Sequence, residues 1–141
     1  MIAMIIDAKD MILGRVCTFA AKQILLGNKI DVINCEECIV TGNKNSILEN
    51  YLKKLHRKAP TKGPYFYRRP DLLVKRTVRG MIPFKRSRGR EAFKNIKCHI
   101  GNPENLKNQK PIIFEKASVE RIHSADITKV KDICTAVGWR Q

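Results

Sequence analysis

The pattern of apolar residues over the first 33 positions restricts the fold more than any other feature. Residues 3–6 are an apolar run, and residues 30–33 are apolar except for Asp31; both have the length of buried strands. Between them, residues 13–26 repeat apolar side chains at helical spacing, and Gly27 with Asn28 predicts the end of that helix. Its apolar stripe consists of Cys17, Ala20, Ala21, Ile24 and Leu25. Strand, helix and strand with short loops form a βαβ unit, so we predict an α/β fold with a largely parallel sheet.

The middle of the chain continues this alternation. Residues 39–41 predict a third strand, and residues 45–58 predict a second helix. A helix of about ten residues is predicted to open at Asp71. Its inner face would carry Val74, Val78 and Met81, and its outer face Lys75, Arg76 and Arg79. That helix could therefore pack on a core and direct three cations outward.

Shorter elements follow towards the C-terminus. We predict a helix over residues 89–94, a strand over 96–100 and an extended connection over 104–118. Thr128 is predicted to cap a last helix, whose apolar stripe is Val130, Ile133, Cys134 and Val137. A length of 141 residues suits one compact domain. We accordingly divide the chain into an α/β domain over residues 1–103 and a C-terminal extension over 104–141.

Positive charge is concentrated in one third of the chain. The whole sequence has 28 Lys and Arg against 13 Asp and Glu, a net charge of +15. Residues 53–97, called here the central basic segment, contain 16 of those cations and only two acids, Asp71 and Glu91. Such crowding repels itself unless a polyanion neutralises it, and nucleic acid is the commonest polyanion. A membrane surface is disfavoured because glycines and prolines interrupt the segment and no apolar run reaches 18 residues.

Two features of the central basic segment predict RNA contacts. Tyr65, Phe66 and Tyr67 stand directly before Arg68 and Arg69. Such rings can stack on unpaired bases or pack on the protein, and the sequence leaves both arrangements open. Residues 76–90 contain six Lys and Arg and no acid, with two glycines that allow turns or close backbone approach. The predicted RNA-binding residues are Lys53, Lys54, Arg57, Lys58, Lys62, Tyr65, Phe66, Tyr67, Arg68, Arg69, Lys75, Arg76, Arg79, Lys85, Arg86, Arg88, Arg90 and Lys94.

Patterns typical of enzymes and metal sites are weak. Cys35 and Cys38 have the spacing of half a zinc site, but no second pair follows, so we interpret them as small apolar fillers. The first strand is not followed by a glycine-rich dinucleotide motif, and there is no P-loop pattern. We therefore predict no catalysis, no metal and no cofactor. The N-terminal residues lack the pattern of a signal peptide, and five cysteines without paired spacing fit the reducing cytosol.

Five short stretches carry a family resemblance: LGR at 13–15, AAK at 20–22, IVTGN at 39–43, GPY at 63–65 and, most specifically, RTVRGMIP at 76–83. They resemble the universal large-subunit ribosomal protein thirteen family in its archaeal and eukaryotic form. The resemblance covers nearly the whole chain. It implies a three-layer α/β/α fold around a parallel four-stranded sheet, with a basic loop-helix insertion and a C-terminal helical tail. It also implies a structural role on large-subunit rRNA beside neighbouring ribosomal proteins. The strand at Cys98 lacks the aromatic residue that often stands there, so its packing could differ.

The sequence also leaves open two alternative functions of other classes. The first is an RNA-binding regulator that acts outside the ribosome, and the second is a small α/β enzyme acting on a nucleotide. Nothing in the pattern predicts a homo-oligomer or attachment to a membrane.

Overall fold

The computed structural model describes residues 3–123 and 126–140. Its strands are β1 (Ala3–Asp7), β2 (Lys29–Ile33), β3 (Ile39–Thr41), β4 (Ile96–Cys98) and β5 (Ile127–Lys129). Its helices are α1 (Leu13–Leu25), α2 (Lys44–His56), α3 (Pro70–Gly80), α4 (Ser87–Lys94) and α5 (Val130–Ala136). The helices and strands predicted from the sequence are confirmed to within a few residues at each end.

A parallel sheet of order β1-β2-β4 forms the centre of the fold. The connections from β1 to β2 and from β2 to β4 both move the chain in the same direction across the sheet. Right-handed connections therefore place their helices on one face of the sheet. In agreement, α1 packs against α3 and α4, and α3 packs against β4. Ile6, Ile30, Val32 and Ile96 lie fully buried between this face and the helices. Each such side chain contributes about 1.5–3 kcal/mol by leaving water.

Local sequence signals explain where the main helices begin and end. Pro70 occupies the first turn of α3, where its fixed φ fits and its missing N–H is not needed. The Asn43 side chain accepts a 2.9 Å hydrogen bond from the N–H of Asn45 and caps α2. Gly27 follows α1 with a φ of 95°, a conformation that glycine adopts without the steric cost of a Cβ.

The C-terminal part of the chain packs on the same core as the N-terminal part. β5 pairs antiparallel with β3, and Val130, Ile133 and Cys134 of α5 belong to the main apolar cluster. The prediction that Thr128 caps α5 is wrong. Thr128 lies in β5, and Lys129 occupies the cap position. The chain is still extended at Thr128 because it pairs with Val40.

The four-stranded parallel sheet is not confirmed. Among residues 3–123 and 126–140, three strands form the parallel sheet, and β3 and β5 form a separate antiparallel pair. Beside β1 runs a segment that makes one isolated parallel bridge, from Ile112 to Ile6, and the N–H of Ile112 donates a 2.7 Å bond to the Ile5 carbonyl. Pro111 has no N–H to donate, which limits a regular ladder there. The α/β class and the mainly parallel sheet are confirmed.

Candidate nucleic-acid interface

Helices α3 and α4, with the turn between them, form a surface that we call the platform of the interface. Val74 and Val78 are fully buried against the core, while Arg76 and Arg79 on the opposite side are exposed. The prediction for Met81 is wrong, because its side chain is 41% exposed. The helix ends at Gly80, so Met81 no longer follows the helical repeat of Val74 and Val78. The outer cations are thus attached to a helix whose other face is fixed.

Aromatic rings hold several of these cations in place. The Arg79 guanidinium lies 4.2 Å from the centre of the Phe84 ring, and the Lys75 ammonium lies 5.2 Å from the centre of Phe93. The two rings contact each other edge to face at 5.3 Å. Cation–π contacts of this kind contribute about 0.5–1 kcal/mol at exposed sites. They leave the N–H groups of the cations free to bind an anion.

The turn after α3 is packed tightly on α4. Gly89 is buried, and a Cβ built on it would lie 2.1 Å from the carbonyl oxygen of Pro83. The Arg90 Nη2 donates a 2.9 Å hydrogen bond to the Lys85 carbonyl. Of the two roles that the sequence left open for Gly89, a turn or close approach to a partner, the structure shows tight packing against this chain's own turn. It brings Lys85 of the turn beside the cations of α4.

The three aromatic residues of the 57–69 loop separate into two roles. Phe66 points inward and contacts the Tyr51 ring edge to face at 5.8 Å. Tyr65 and Tyr67 are 64% and 43% exposed. The Tyr67 ring lies 5.6 Å from the Arg76 guanidinium. The structure thus places one ring on the protein and two on the surface, a distinction that the sequence left open.

A cleft of about 390 Å³ lies between α2, the 57–69 loop and α3, and we call it the aromatic cleft. Apolar parts of Tyr51, Phe66 and Leu73 line it. Three cations, Lys54, Arg57 and Arg76, also line it. Arg76 borders two further surface grooves, which contain Arg79 and Phe84. Arg76 of α3 therefore links the aromatic cleft to the grooves around Arg79 and Phe84.

Few of the predicted cations are neutralised within the protein. Lys53 pairs with Glu49 at 2.7 Å, and Arg69 forms a two-point contact with Asp71 at 2.8 and 3.2 Å. No other cation among the predicted RNA-binding residues has a carboxylate oxygen within 4.0 Å in the described part of the chain. Arg68 lies against the turn after α5, where a Cβ on Gly138 would be 3.4 Å from its Nη1. The rest are exposed or rest on aromatic rings.

A second group of cations lies outside the central basic segment, and sequence reasoning missed it. Arg15 and Lys22 of α1 and Lys116 and Arg121 of the C-terminal part line a groove of about 640 Å³. Phe19 and Phe114, stacked at 4.6 Å, also line this groove. The Arg15 Nη1 donates a 2.9 Å bond to the Lys116 carbonyl, 101 positions away. We call this the second basic surface. The only signal in the sequence was the spacing of Arg15 and Lys22, which places both on one face of α1.

Cys35 and Cys38 are packing residues, as predicted. Cys35 and Cys38 are fully buried, and burial raises the pKa of Cys38 to about 12. Over residues 3–123 and 126–140, no three His, Cys, Asp or Glu side chains are grouped so that they could hold a metal ion. His99 instead contacts Asp31 at 2.9 Å. None of the helices in this part of the chain is both long and apolar enough to cross a bilayer.

Comparison with known proteins gives one consistent result. The model of the family described as Ribosomal protein L13 matches residues 2–105. The chain belongs to the ribosomal protein L13 family. A relative from Methanopyrus kandleri, named large ribosomal subunit protein uL13, is 45% identical over 89% of this chain and 76% of its own length. A relative of the same name from Archaeoglobus fulgidus is 42% identical over 96% of this chain and 88% of its own length. The resemblance noted in the sequence is confirmed.

The L13 family match includes the whole central basic segment and the helices that support it. The family model ends at residue 105, whereas the alignment with the Archaeoglobus fulgidus relative extends over 137 residues. The similarity to that relative thus also includes residues of the C-terminal part.

Proposed function

We propose that this chain is a structural constituent of the large ribosomal subunit and that its central basic segment binds folded large-subunit rRNA. The L13 family to which it belongs consists of ribosomal proteins, so its role is structural and not enzymatic. One observation carries the proposal. All cations of the segment except the half-buried Lys75 are exposed, and, apart from Lys53 and Arg69, they have no carboxylate partner in the described residues.

The mechanism is electrostatic and geometric. Folded RNA brings phosphates of distant segments close together, and cations that neutralise them release condensed counterions. The platform of α3 and α4 offers its cations at fixed positions, because rings such as Phe84 and Phe93 hold them. Double-stranded RNA hides its base edges in a deep groove, so backbone shape and phosphate spacing should decide recognition.

The second basic surface is proposed as a further RNA contact. Its cations come from α1 and from the C-terminal part, and Thr18 of α1 donates to the sulfur of Met81 at 3.6 Å. Met81 follows directly after α3, so the surface adjoins the platform. A folded RNA that covers the platform could therefore extend onto α1. Neighbouring ribosomal proteins are the other partners that we propose.

The test is a charge-neutralising variant. We expect replacement of Arg76, Arg79, Arg88 and Arg90 by Gln to weaken binding to transcribed large-subunit rRNA and to flatten its salt dependence. Each lost phosphate contact lowers the steepness of log K against log salt by about 0.7–0.9, so loss of all four should lower it by up to about 3.6. The measurement is a set of binding isotherms at several salt concentrations.

The matched control removes the same charge elsewhere. Its exposed residues are Lys29, Lys44, Lys107 and Lys131, each replaced by Gln. The control should keep the slope of the native protein. Equal slopes for the two variants would mean that net charge, and not this surface, drives binding. Circular dichroism of both variants should match the native protein, since none of the eight side chains is buried.

Membership of the ribosome is tested separately. A tagged chain should sediment with the large subunit after a moderate salt wash. Sedimentation with free RNA alone would favour the extra-ribosomal regulator, and a stoichiometric small-molecule ligand in the purified protein would favour the nucleotide-binding enzyme. We place the chain with the ribosome in the cytoplasm, as a single copy without homo-oligomer contacts.

We also propose three finer points of architecture. The segment around Ile112 would form the fourth parallel strand in the assembled particle, which its bridge to Ile6 supports. The fold would have three α/β/α layers, and the chain would divide into an α/β domain over residues 1–103 and an extension over 104–141. Val130 and Ile133 of the extension lie in the main core, which favours an extension that is integral to the fold.

A further inference from the structure

We propose that the aromatic cleft receives a single unpaired nucleotide of the bound RNA. The base would stack on the exposed Tyr65 and Tyr67 rings, and Lys54, Arg57 and Arg76 would bind its phosphates. This inference rests on the proposed function and adds to it a second mode of recognition. The rest of the surface would bind phosphates by charge, whereas this cleft would bind a base by its face.

The first reason is the arrangement of the rings. Phe66 and Tyr51 pack together and help line the cleft, while Tyr65 and Tyr67 remain 64% and 43% exposed. The exposed part of an aromatic ring gains no burial energy from the fold. The face of a nucleobase would cover such a ring, and base–aromatic stacking works with any base because every base has a π-face.

The second reason is charge. Lys54 lies over the Tyr51 ring at 4.8 Å and Arg76 over the Tyr67 ring at 5.6 Å, and neither has a carboxylate partner among the described residues. The only acid of the neighbouring loop and helix start, Asp71, is already paired with Arg69. An uncharged aromatic ligand would leave these cations unneutralised. An anionic aromatic ligand would satisfy both the rings and the cations, and a nucleotide is such a ligand.

The third reason is size and access. The volume of about 390 Å³ is within the range of roughly 300–1,000 Å³ for pockets that hold organic ligands, so a single nucleotide can enter. A base inside a duplex cannot enter, because both of its faces are stacked and one of its edges is paired. Single-stranded loops and bulges present bases that can be splayed out. The occupant should therefore be an unpaired position in the RNA, flanked by regions that the platform binds.

The test compares ring removal with ring retention. Tyr65→Ala and Tyr67→Ala should each lower affinity for transcribed large-subunit rRNA roughly 5- to 150-fold, the range for loss of one base stack. The slope of log K against log salt should stay unchanged, since no charge is lost. Tyr65→Phe and Tyr67→Phe should bind within about threefold of the native protein. Leu26→Ala is the matched control, because Leu26 is a comparably exposed apolar side chain at 66% and lies outside the cleft.

A readout at single bases makes the assignment specific. Dimethyl sulfate for A and C and a carbodiimide for G and U should show one unpaired base protected by the native protein and by the Phe variants. The same base should react again with the Ala variants. Binding to a fully paired RNA of equal length should not depend on Tyr65 or Tyr67.

The outcomes separate this inference from the proposed function. If the native protein does not bind rRNA, the proposed function fails and this inference fails with it. If the native protein binds and the Ala variants bind equally well, only the cleft assignment is overturned. Loss of affinity in Tyr65→Phe as well would assign the effect of that position to the Tyr65 hydroxyl bond to the Thr61 carbonyl, and not to stacking. Displacement of RNA by micromolar free AMP or UMP would assign the cleft to a free nucleotide, which also overturns the inference.

Discussion

The contact between Gly89 and the turn after α3 gives a sharp test of how the interface is built. In the native protein a Cβ at position 89 would lie 2.1 Å from the Pro83 carbonyl oxygen, 2.4 Å from its carbon and 2.9 Å from the Phe84 nitrogen. Favourable contacts between heavy atoms lie at about 3.5 Å. Gly89→Ala must therefore displace the backbone of the turn by on the order of 1 Å, because no flexible side chain can move instead.

Overpacking of this kind costs about 1–3 kcal/mol. Gly80→Ala is the matched control, since Gly80 ends α3 and a Cβ there meets nothing within 4 Å. That control should be neutral or should gain about 0.5–1 kcal/mol from reduced freedom of the unfolded chain. The two variants should differ by about 2–3 kcal/mol in the free energy of unfolding.

Urea unfolding followed by circular dichroism measures this difference. With a slope of about 2 kcal/mol per molar urea, the midpoint of Gly89→Ala should lie roughly 1 M below that of Gly80→Ala. The Arg90 bond to the Lys85 carbonyl crosses the same contact, so the displaced turn should also weaken RNA binding. Equal midpoints for the two variants would refute the reasoning, because they would show that the turn moves away from α4 without cost.

Two further predictions concern stability. Thr128 is 2% exposed and its hydroxyl has no hydrogen-bond partner in the described residues, so Thr128→Val should raise the urea midpoint. Thr77→Val should lower it, because the Thr77 hydroxyl donates to the Leu73 carbonyl at 3.0 Å, and the opposite order would contradict this reasoning. The hydrogen bond from Lys129 lowers the pKa of Glu37, so the pair stabilises the protein above pH about 4.5 and this contribution is lost as the pH falls further. Glu37→Gln should therefore lower stability at pH 7 and flatten the pH dependence of the midpoint between pH 5 and 3, and an unchanged pH profile would count against it.

The periodicity of apolar residues was sufficient to predict the helices and strands, but not where each of them ends. The stripe of α1 and the opposed faces of α3 were predicted because one helical repeat fixes every side chain of a regular segment. Met81 was placed wrongly because the repeat stops at Gly80. Thr128 was placed wrongly because strand pairing with Val40, a contact distant in sequence, competed with a local capping preference.

Contacts between distant positions explain the rest of the interface. The sequence could place cations on α3 but could not orient the 57–69 loop, since the inward position of Phe66 depends on Tyr51 of another helix. The second basic surface joins Arg15 to residues more than 100 positions away. The roles of Phe84 and Phe93 as supports for cations were likewise invisible, because a ring beside an arginine in sequence need not contact it in space.

The division between core and cations explains how this fold tolerates its charge. The buried face of α3 consists of Val74, Val78 and other apolar side chains, none of which needs a cation for its packing. The cations in turn rest on rings such as Phe84 at the surface, where dissolved salt screens their mutual repulsion beyond about 8 Å at physiological ionic strength. Repulsion therefore acts on the surface and leaves the core contacts unchanged. It follows that the charge pattern of the platform can change with its RNA partner while the apolar pattern of α1, α3 and the parallel sheet keeps the same fold.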